Sequence, residues 1–188
     1  MSIVLTKSYV EPPFDTKEIL RYAMCKDADE SVTSLLNECL DEIKGKLAYK
    51  VCYIELPIDA LFADVKSEVL SKYLSDCNNY VIFAATVGIE LDRLITKYSR
   101  ISPAKAHMFQ AIGAERIEAL CDTFCEAIKQ EYKNTKPRIS PGYGDMPLEM
   151  QREIFNILDC PRKIGLTLNE SMLMSPTKSV TAFIGVLK

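Results

Sequence analysis

Apolar residues recur every three or four positions in several stretches of the chain, which is the pattern of a helix with one buried face. The longest stretch begins at Ser102-Pro103, where a capping serine precedes a proline suited to the first helical turn, and continues to Tyr132. Gly113 lies in its middle, and a glycine there costs about 1 kcal/mol relative to alanine, so we expect a closely packed neighbour. The other predicted helices cover approximately residues 16–23, 31–43, 65–78, 88–98 and 147–158.

The remaining apolar stretches have the composition of strands. Residues 49–56 are aromatic and β-branched and end at Pro57, while residues 80–86 form a nearly continuous apolar run. Such a run predicts a central strand that is covered on both faces. Residues 3–10 predict a short edge strand, and residues 165–187 predict a terminal hairpin with its turn at 175–178.

These elements predict a single α+β domain, residues 1–188, in which a largely antiparallel twisted sheet packs with helices. Residues 1–47 could form a helical appendage at its N-terminal end. Apolar residues make up 48% and charged residues 26% of the chain, as in globular proteins with one core.

Charge and cysteine content exclude several classes of function. The net charge of −3 and the lack of a basic, aromatic-interleaved patch argue against a nucleic-acid partner. The sequence contains no export signal and no apolar run long enough to cross a bilayer, so we expect no membrane association. Seven cysteines, scattered among apolar residues, are typical of reduced thiols in a cytoplasmic protein.

Proline and glycine concentrate between the long helix and the next one. Ser140-Pro141-Gly142-Tyr143 has the composition of a type II turn, because proline presets φ at the second position and glycine accepts a positive φ at the third. Gly142 and Gly144 also leave the backbone bare, so a ligand could approach its N–H groups.

Two neighbours of this turn suit an anion. Arg138 precedes it and carries a planar fork that matches a carboxylate or phosphate, and Pro147 begins a helix whose first amides favour a negative charge. The segment can therefore be interpreted as a pocket for the anionic end of a small molecule. Local composition alone favours a plain surface turn.

Acidic side chains could hold the opposite end of such a ligand. Glu118 and Asp122 share a face of the long helix, where they could contact an amino group, a ribose or a positive centre, or belong to solvated surface. Glu170 has the parity of the apolar residues in the predicted terminal hairpin. Either its carboxylate points into an apolar face, or a break at 169–171 turns it outward.

The other reactive side chains suggest less. Cys121 and Cys125 lie one helical turn apart, but no second pair or histidine lies at the spacing of a metal site, which favours core thiols. His107, the single histidine, receives no role.

The segment Arg138-Ile139-Ser140-Pro141-Gly142-Tyr143 resembles the arginine–three residues–Gly-Tyr motif of the activation (reactivation) domain of cobalamin-dependent methionine synthase. Residues 168–180 are similar to a second block of that family, with Glu-Ser, Met, Pro and Ser-Val in the same order, and Ile117-Glu118-Ala119 is similar to its glutamate-bearing helix. The similarity is specific from about residue 111 onward. It identifies the chain as resembling a short stand-alone form of this domain.

The resemblance implies a function. Such a domain presents S-adenosylmethionine to an oxidised cobalamin on a partner, either methionine synthase or a related corrinoid methyltransferase, while a flavodoxin-like donor supplies an electron. Arg138 would hold the ligand's carboxylate, Gly142 and Tyr143 would shape the backbone around it, and Glu118 would add polar contacts. Asp145, which follows the Gly-Tyr motif, and Glu170, which lies in the second block, complete the expected ligand-binding set.

Departures from the family pattern keep two alternatives open. Leu148-Glu149 replaces an acidic–histidine pair, and the family's N-terminal ligand aspartate has no evident counterpart. The sequence also ends at Lys188, where the longer domain continues, and it contains no cobalamin-binding segment. The chain could therefore be a docking module for a corrinoid protein that does not use S-adenosylmethionine, or an unrelated small-molecule-binding domain. An Arg138 held in an internal ion pair, with side chains filling the space beside Tyr143, would contradict the methyl-donor assignment.

Overall fold

The apolar run at residues 80–86 forms the centre of a four-stranded antiparallel sheet within the part of the chain that the structure describes. The structure is a computed structural model, and it describes residues 3–25, 27–60 and 67–187. The strands are β1 (Leu5–Ser8), β2 (Lys50–Pro57), β3 (Cys77–Thr86), β4 (Thr167–Leu168), β5 (Met174–Ser175) and β6 (Ser179–Leu187). The helices are α1 (Thr16–Tyr22), α2 (Glu30–Ile43), α3 (Glu68–Leu74), α4 (Glu90–Ile101), α5 (Pro103–Tyr132), α6 (Met150–Leu158) and α7 (Cys160–Ile164).

The sheet has the strand order β1-β2-β3-β6, and β4 pairs with β5 in a separate two-stranded ribbon. Alternate residues of β3 point into two different cores. Phe83 belongs to the core that also contains residues of α1, α2, α4 and α5, whereas Ile82 belongs to the core that contains residues of α3, α6 and α7. The predicted central strand, the edge strand β1 and the α+β class are confirmed.

The close neighbour predicted at Gly113 is Lys178. A Cβ atom at position 113 would lie 2.8 Å from Cε of Lys178, so the glycine gives the lysine stem room to cross α5. Ser102 caps α5 as predicted, because its Oγ accepts a hydrogen bond from the amide of Lys105.

The N-terminal segment is held against α5 by a buried arginine. Arg116 is fully buried; its Nη1 donates to the carbonyl of Pro12 at 2.5 Å and its Nη2 to that of Pro13 at 2.8 Å. The same guanidinium forms an ion pair with Glu115, which is 5% exposed. The residues before α1 are therefore bound to the longest helix, α5, through the guanidinium of Arg116.

The predicted terminal hairpin is wrong. β6 pairs with β3, and residues 165–174 contribute only the two-residue strand β4 before a turn in which Asn169 Oδ1 accepts from the amide of Leu173. That turn breaks the alternating parity, so Glu170 is exposed and the outward alternative is correct. The long apolar β3 offers β6 a better partner than the short, turn-rich stretch before it.

Several helix boundaries also differ from the sequence prediction. α3 ends at Leu74, because residues 77–80 already belong to β3. Val65, which the pattern placed in this helix, lies outside the described residues. α6 begins at Met150 rather than Pro147, and α7 follows it where Cys160-Pro161 was expected to end the helix. No helix within 3–25, 27–60 and 67–187 combines the length and the apolar character needed to cross a membrane.

Candidate functional site

Arg138 is carried by a stretch of chain that runs back along the edge of the sheet. After α5 ends, Ile139 and Phe183 of β6 exchange both backbone hydrogen bonds, at 3.0 and 2.8 Å. This pairing brings the residue before Ile139 next to α5. The local geometry therefore depends on a contact between residues far apart in the sequence.

Arg138 meets both acidic residues that the helical spacing placed on one face of α5. Its Nη2 lies 2.5 Å from Glu118 Oε2, and its Nη1 lies 2.5 Å from Asp122 Oδ1. Nη1 also contacts the sulfur of Cys125 at 3.8 Å. The Arg138 side chain is 22% exposed, whereas those of Glu118 and Asp122 are 43% and 71% exposed. We call these four residues the Arg138 cluster.

The cluster keeps the guanidinium charged. Burial alone would lower the pKa of Arg138, but the hydrogen bond to Asp122 and the neighbouring Cys125 outweigh it and raise this pKa above its ordinary value. Burial raises the pKa of the Cys125 thiol, and the nearby Arg138 offsets only part of that shift. The site therefore presents a fixed positive charge, two exposed carboxylates and a protonated thiol.

Two open grooves flank the Arg138 cluster. One has a volume of about 600 Å³ and runs from Asp122 and Arg138 towards Lys129 and Lys136. The other has a volume of about 400 Å³ and lies between Glu118 and Asp122 on α5 and one face of α1, from its capping residue Asp15 to Tyr22. Volumes of this size suit a small ligand. Asp122 borders both grooves, whereas Glu118 borders the second one.

The turn after Arg138 has the predicted type. Gly142 has φ +90°, and the amide of Tyr143 donates to the carbonyl of Ser140 at 3.1 Å, as in a type II turn. The prediction that a ligand can approach the backbone N–H groups stays a prediction at Gly144. At Gly142 it is wrong, because that N–H donates to the carbonyl of Met146 at 2.9 Å. At the start of α6, the amide of Met150 likewise donates to Pro147.

Asp145 is bound to the beginning of α3. Its Oδ1 accepts from Ser67 Oγ at 2.6 Å, and its Oδ2 accepts from the amide of Glu68 at 2.7 Å. The hydrogen bond from Ser67, followed by that from Glu68, lowers the pKa of Asp145. A Cβ atom on Gly144 would lie 2.8 Å from Val69 Cγ2, so the glycine lets the chain approach α3.

This lowered pKa predicts a pH-dependent contribution to stability. A carboxylate with a depressed pKa stabilises the fold at pH values above its ordinary pKa of 3.8, and loses that effect as the pH falls through the lower folded-state value. We expect Asp145→Ala to unfold at a lower temperature than wild type at pH 7. The difference should be smaller in acid, once the pH is below the lowered pKa, when thermal unfolding is followed by circular dichroism at pH 7 and in acid. A difference that is the same at both pH values would contradict this role.

The structure separates the six residues of the predicted ligand-binding set. Arg138 and Glu118 meet, and Gly142 and Tyr143 form the turn. The contacts of Asp145 lie with α3, and the carbonyl of Glu170 accepts from Arg152 at 2.9 Å. The Tyr143 side chain is 65% exposed, so side chains do not fill the space beside it. Two observations together would contradict the methyl-donor assignment: an internal ion pair of Arg138, and a filled space beside Tyr143. The structure shows the first and not the second.

Sequence reasoning missed Tyr73, which touches the backbone beside Arg138. Tyr73 lies within the helix predicted at approximately residues 65–78, and no local signal points to its hydroxyl. Cys125 was expected in the core, yet it is half-buried and contacts Arg138. Among the residues that the structure describes, no group of three His, Cys, Asp or Glu side chains could hold a metal ion.

Comparison with known proteins places this geometry in a family. The family model described as "Vitamin B12 dependent methionine synthase, activation domain" matches residues 65–186. The chain belongs to this family. The resemblance drawn from the sequence motifs is thereby confirmed, and it is not confined to the turn, which excludes the unrelated small-molecule-binding domain.

A solved structure supports the same fold for this activation-domain chain. The crystal structure of the MetH reactivation domain bound to AdoHcy superposes with a TM-score of 0.66 at 16% sequence identity, covering 98% of this chain and 78% of that one. At this identity the likeness concerns the fold. A search of curated protein sequences finds no match.

Proposed function

We propose that this activation-domain chain binds S-adenosylmethionine at the Arg138 cluster and presents its methyl group to a cobalamin held by a partner. The partner would be methionine synthase or a related corrinoid methyltransferase. The observation that carries the proposal is a half-buried arginine that borders one groove and pairs with two exposed carboxylates, of which Asp122 borders both grooves. Family membership supplies the reaction, and the cluster supplies groups that match the methyl donor.

The ion pairs of Arg138 are compatible with a zwitterionic ligand. The ligand's carboxylate can take the place of Glu118 or Asp122 on the guanidinium, and the released carboxylate can accept the ligand's ammonium group. The ion pair that is lost is thereby replaced by a pair between Arg138 and the ligand's carboxylate, and the released carboxylate gains a pair with the ligand's ammonium group. Ion pairs with exposed partners contribute only about 0–1 kcal/mol, so opening them costs little.

The chemistry required of this chain is mainly positioning. A flavodoxin-like donor would supply one electron and S-adenosylmethionine the methyl group, which leaves S-adenosylhomocysteine as the product. The residues of the Arg138 cluster would bind and orient the methyl donor, and the exposed Tyr143 lies on the adjoining turn. The seven cysteines all lie within the described part of the chain and form no disulfide there, and we propose a cytoplasmic location accordingly.

A second candidate function is a docking module that contacts a corrinoid protein without using S-adenosylmethionine. The internal ion pairs of Arg138 and the occupied amides of Gly142 and Tyr143 favour it. So does Leu148-Glu149, which stands where the family motif has an acidic–histidine pair. The two candidates differ in one measurable property, the affinity for S-adenosylmethionine.

Isothermal titration calorimetry of the full chain with S-adenosylmethionine separates them. The proposal predicts saturable binding of one ligand per chain, and S-adenosylhomocysteine should compete for the same site because it keeps the amino-acid end. The absence of heat with either ligand at millimolar concentration would reject ligand use. Recovery of a corrinoid protein on the immobilised chain would then support the docking module.

A further inference from the structure

The chain segment that carries Arg138 pairs irregularly with β6. Lys136 donates its amide to the carbonyl of Gly185 at 2.9 Å, and Ile139 and Phe183 exchange both hydrogen bonds further along. Between these contacts lies Pro137, which has no N–H to donate. The residue directly before Arg138 therefore depends on another group for its attachment.

The hydroxyl of Tyr73 in α3 supplies that attachment. It accepts a hydrogen bond from the amide of Gly185 at 2.9 Å and donates one to the carbonyl of Pro137 at 2.7 Å. The hydroxyl is thus inserted between the two strands of chain, where a direct backbone hydrogen bond would otherwise form. A Cβ atom at position 185 would lie 3.4 Å from Tyr73 Cε1, which indicates how closely the ring approaches β6.

The same helix holds the other end of the segment. Asp145 accepts hydrogen bonds from Ser67, Glu68 and Val69 at the beginning of α3. Residues 137–145 are therefore attached to α3 at both ends. Arg138, Gly142 and Tyr143 all lie between the two attachments.

We infer that Tyr73 is a positioning residue for ligand binding, which acts by fixing the backbone of Pro137 and thereby the guanidinium of Arg138. This inference rests on the proposed function. Without the hydroxyl, the Gly185 amide and the Pro137 carbonyl face each other across the space that it filled. The segment then shifts relative to β6, and a small displacement of a charged binding group weakens its contact considerably.

The test compares Tyr73→Phe with the matched control Tyr80→Phe. The control variant also loses one hydroxyl. In wild type, the Tyr80 hydroxyl donates to the carbonyl of Ala60 at 3.1 Å in the same core. Calorimetry measures the affinity of each variant for S-adenosylmethionine and for its decarboxylated form, which lacks the group that Arg138 would hold. Tyr73→Phe should reduce the affinity for S-adenosylmethionine about 10-fold and leave the affinity for the decarboxylated form nearly unchanged. Tyr80→Phe should preserve the ratio of the two affinities.

A ratio that is unchanged in Tyr73→Phe would overturn the inference, since a merely structural loss weakens both ligands equally. Failure of wild type to bind S-adenosylmethionine would instead reject the proposed function, and with it any role of Tyr73 in ligand binding. Amide hydrogen exchange over residues 134–145 tests the attachment itself without ligand. Exchange should be faster in Tyr73→Phe than in Tyr80→Phe, and equal rates would also overturn the inference.

Discussion

Replacing Arg138 with alanine should reduce the affinity for S-adenosylmethionine about 100-fold, because the change removes charge-assisted hydrogen bonds worth about 1.5–3 kcal/mol each. The guanidinium is the group of the Arg138 cluster that can receive the ligand's carboxylate. Its removal also leaves Glu118 and Asp122 facing each other without a cation between them. Titration calorimetry of wild type and variant measures the difference.

Arg93→Ala is the matched control for this variant. Arg93 also forms an ion pair with a carboxylate of its surroundings, Glu90, but it lies on α4 away from the Arg138 cluster. Its replacement should leave the affinity unchanged. The thermal unfolding temperature of Arg138→Ala should stay close to that of wild type, since pairs with exposed partners contribute about 0–1 kcal/mol. Equal affinities of Arg138→Ala and wild type would contradict the assignment.

The largest loss of stability is expected from Arg116→Ala, about 3–5 kcal/mol in the free energy of unfolding. The substitution leaves the carboxylate of Glu115 buried without its cation. It also deprives the carbonyls of Pro12 and Pro13 of their donor. Urea unfolding followed by circular dichroism measures the change.

A double variant shows whether the buried charge causes this loss. Glu115→Gln combined with Arg116→Met removes both charges and keeps most of the volume, so it should recover part of the stability lost in Arg116→Ala. Arg21→Ala, which removes an exposed arginine paired with Glu18, should lower the free energy of unfolding far less than Arg116→Ala does. A loss below about 1 kcal/mol for Arg116→Ala would contradict the anchoring role of this arginine.

The sequence predicted those elements whose signals are local. The helical period and the capping serine located α5, the apolar run located β3, and Pro141-Gly142 fixed the type of the turn. The terminal hairpin failed because strand pairing is decided by the available partner. A stretch interrupted by Asn169 could not compete with β3 for β6.

The candidate site was predictable only in part, for the same reason. Helical spacing placed Glu118 and Asp122 on one face of α5, and the planar fork of Arg138 marked it as an anion-binding residue. Their meeting depends on how the chain returns along β6. Likewise, the attachment of Asp145 to α3 joins residues 77 positions apart, and no sequence period reports such a contact.

Determining a crystal structure of the chain with bound S-adenosylhomocysteine would test the central proposal most directly. The account predicts the ligand's carboxylate within hydrogen-bonding distance of the Arg138 guanidinium, with Glu118 or Asp122 released to the ligand's ammonium group. A ligand bound elsewhere on the chain, with both ion pairs of Arg138 intact, would contradict it.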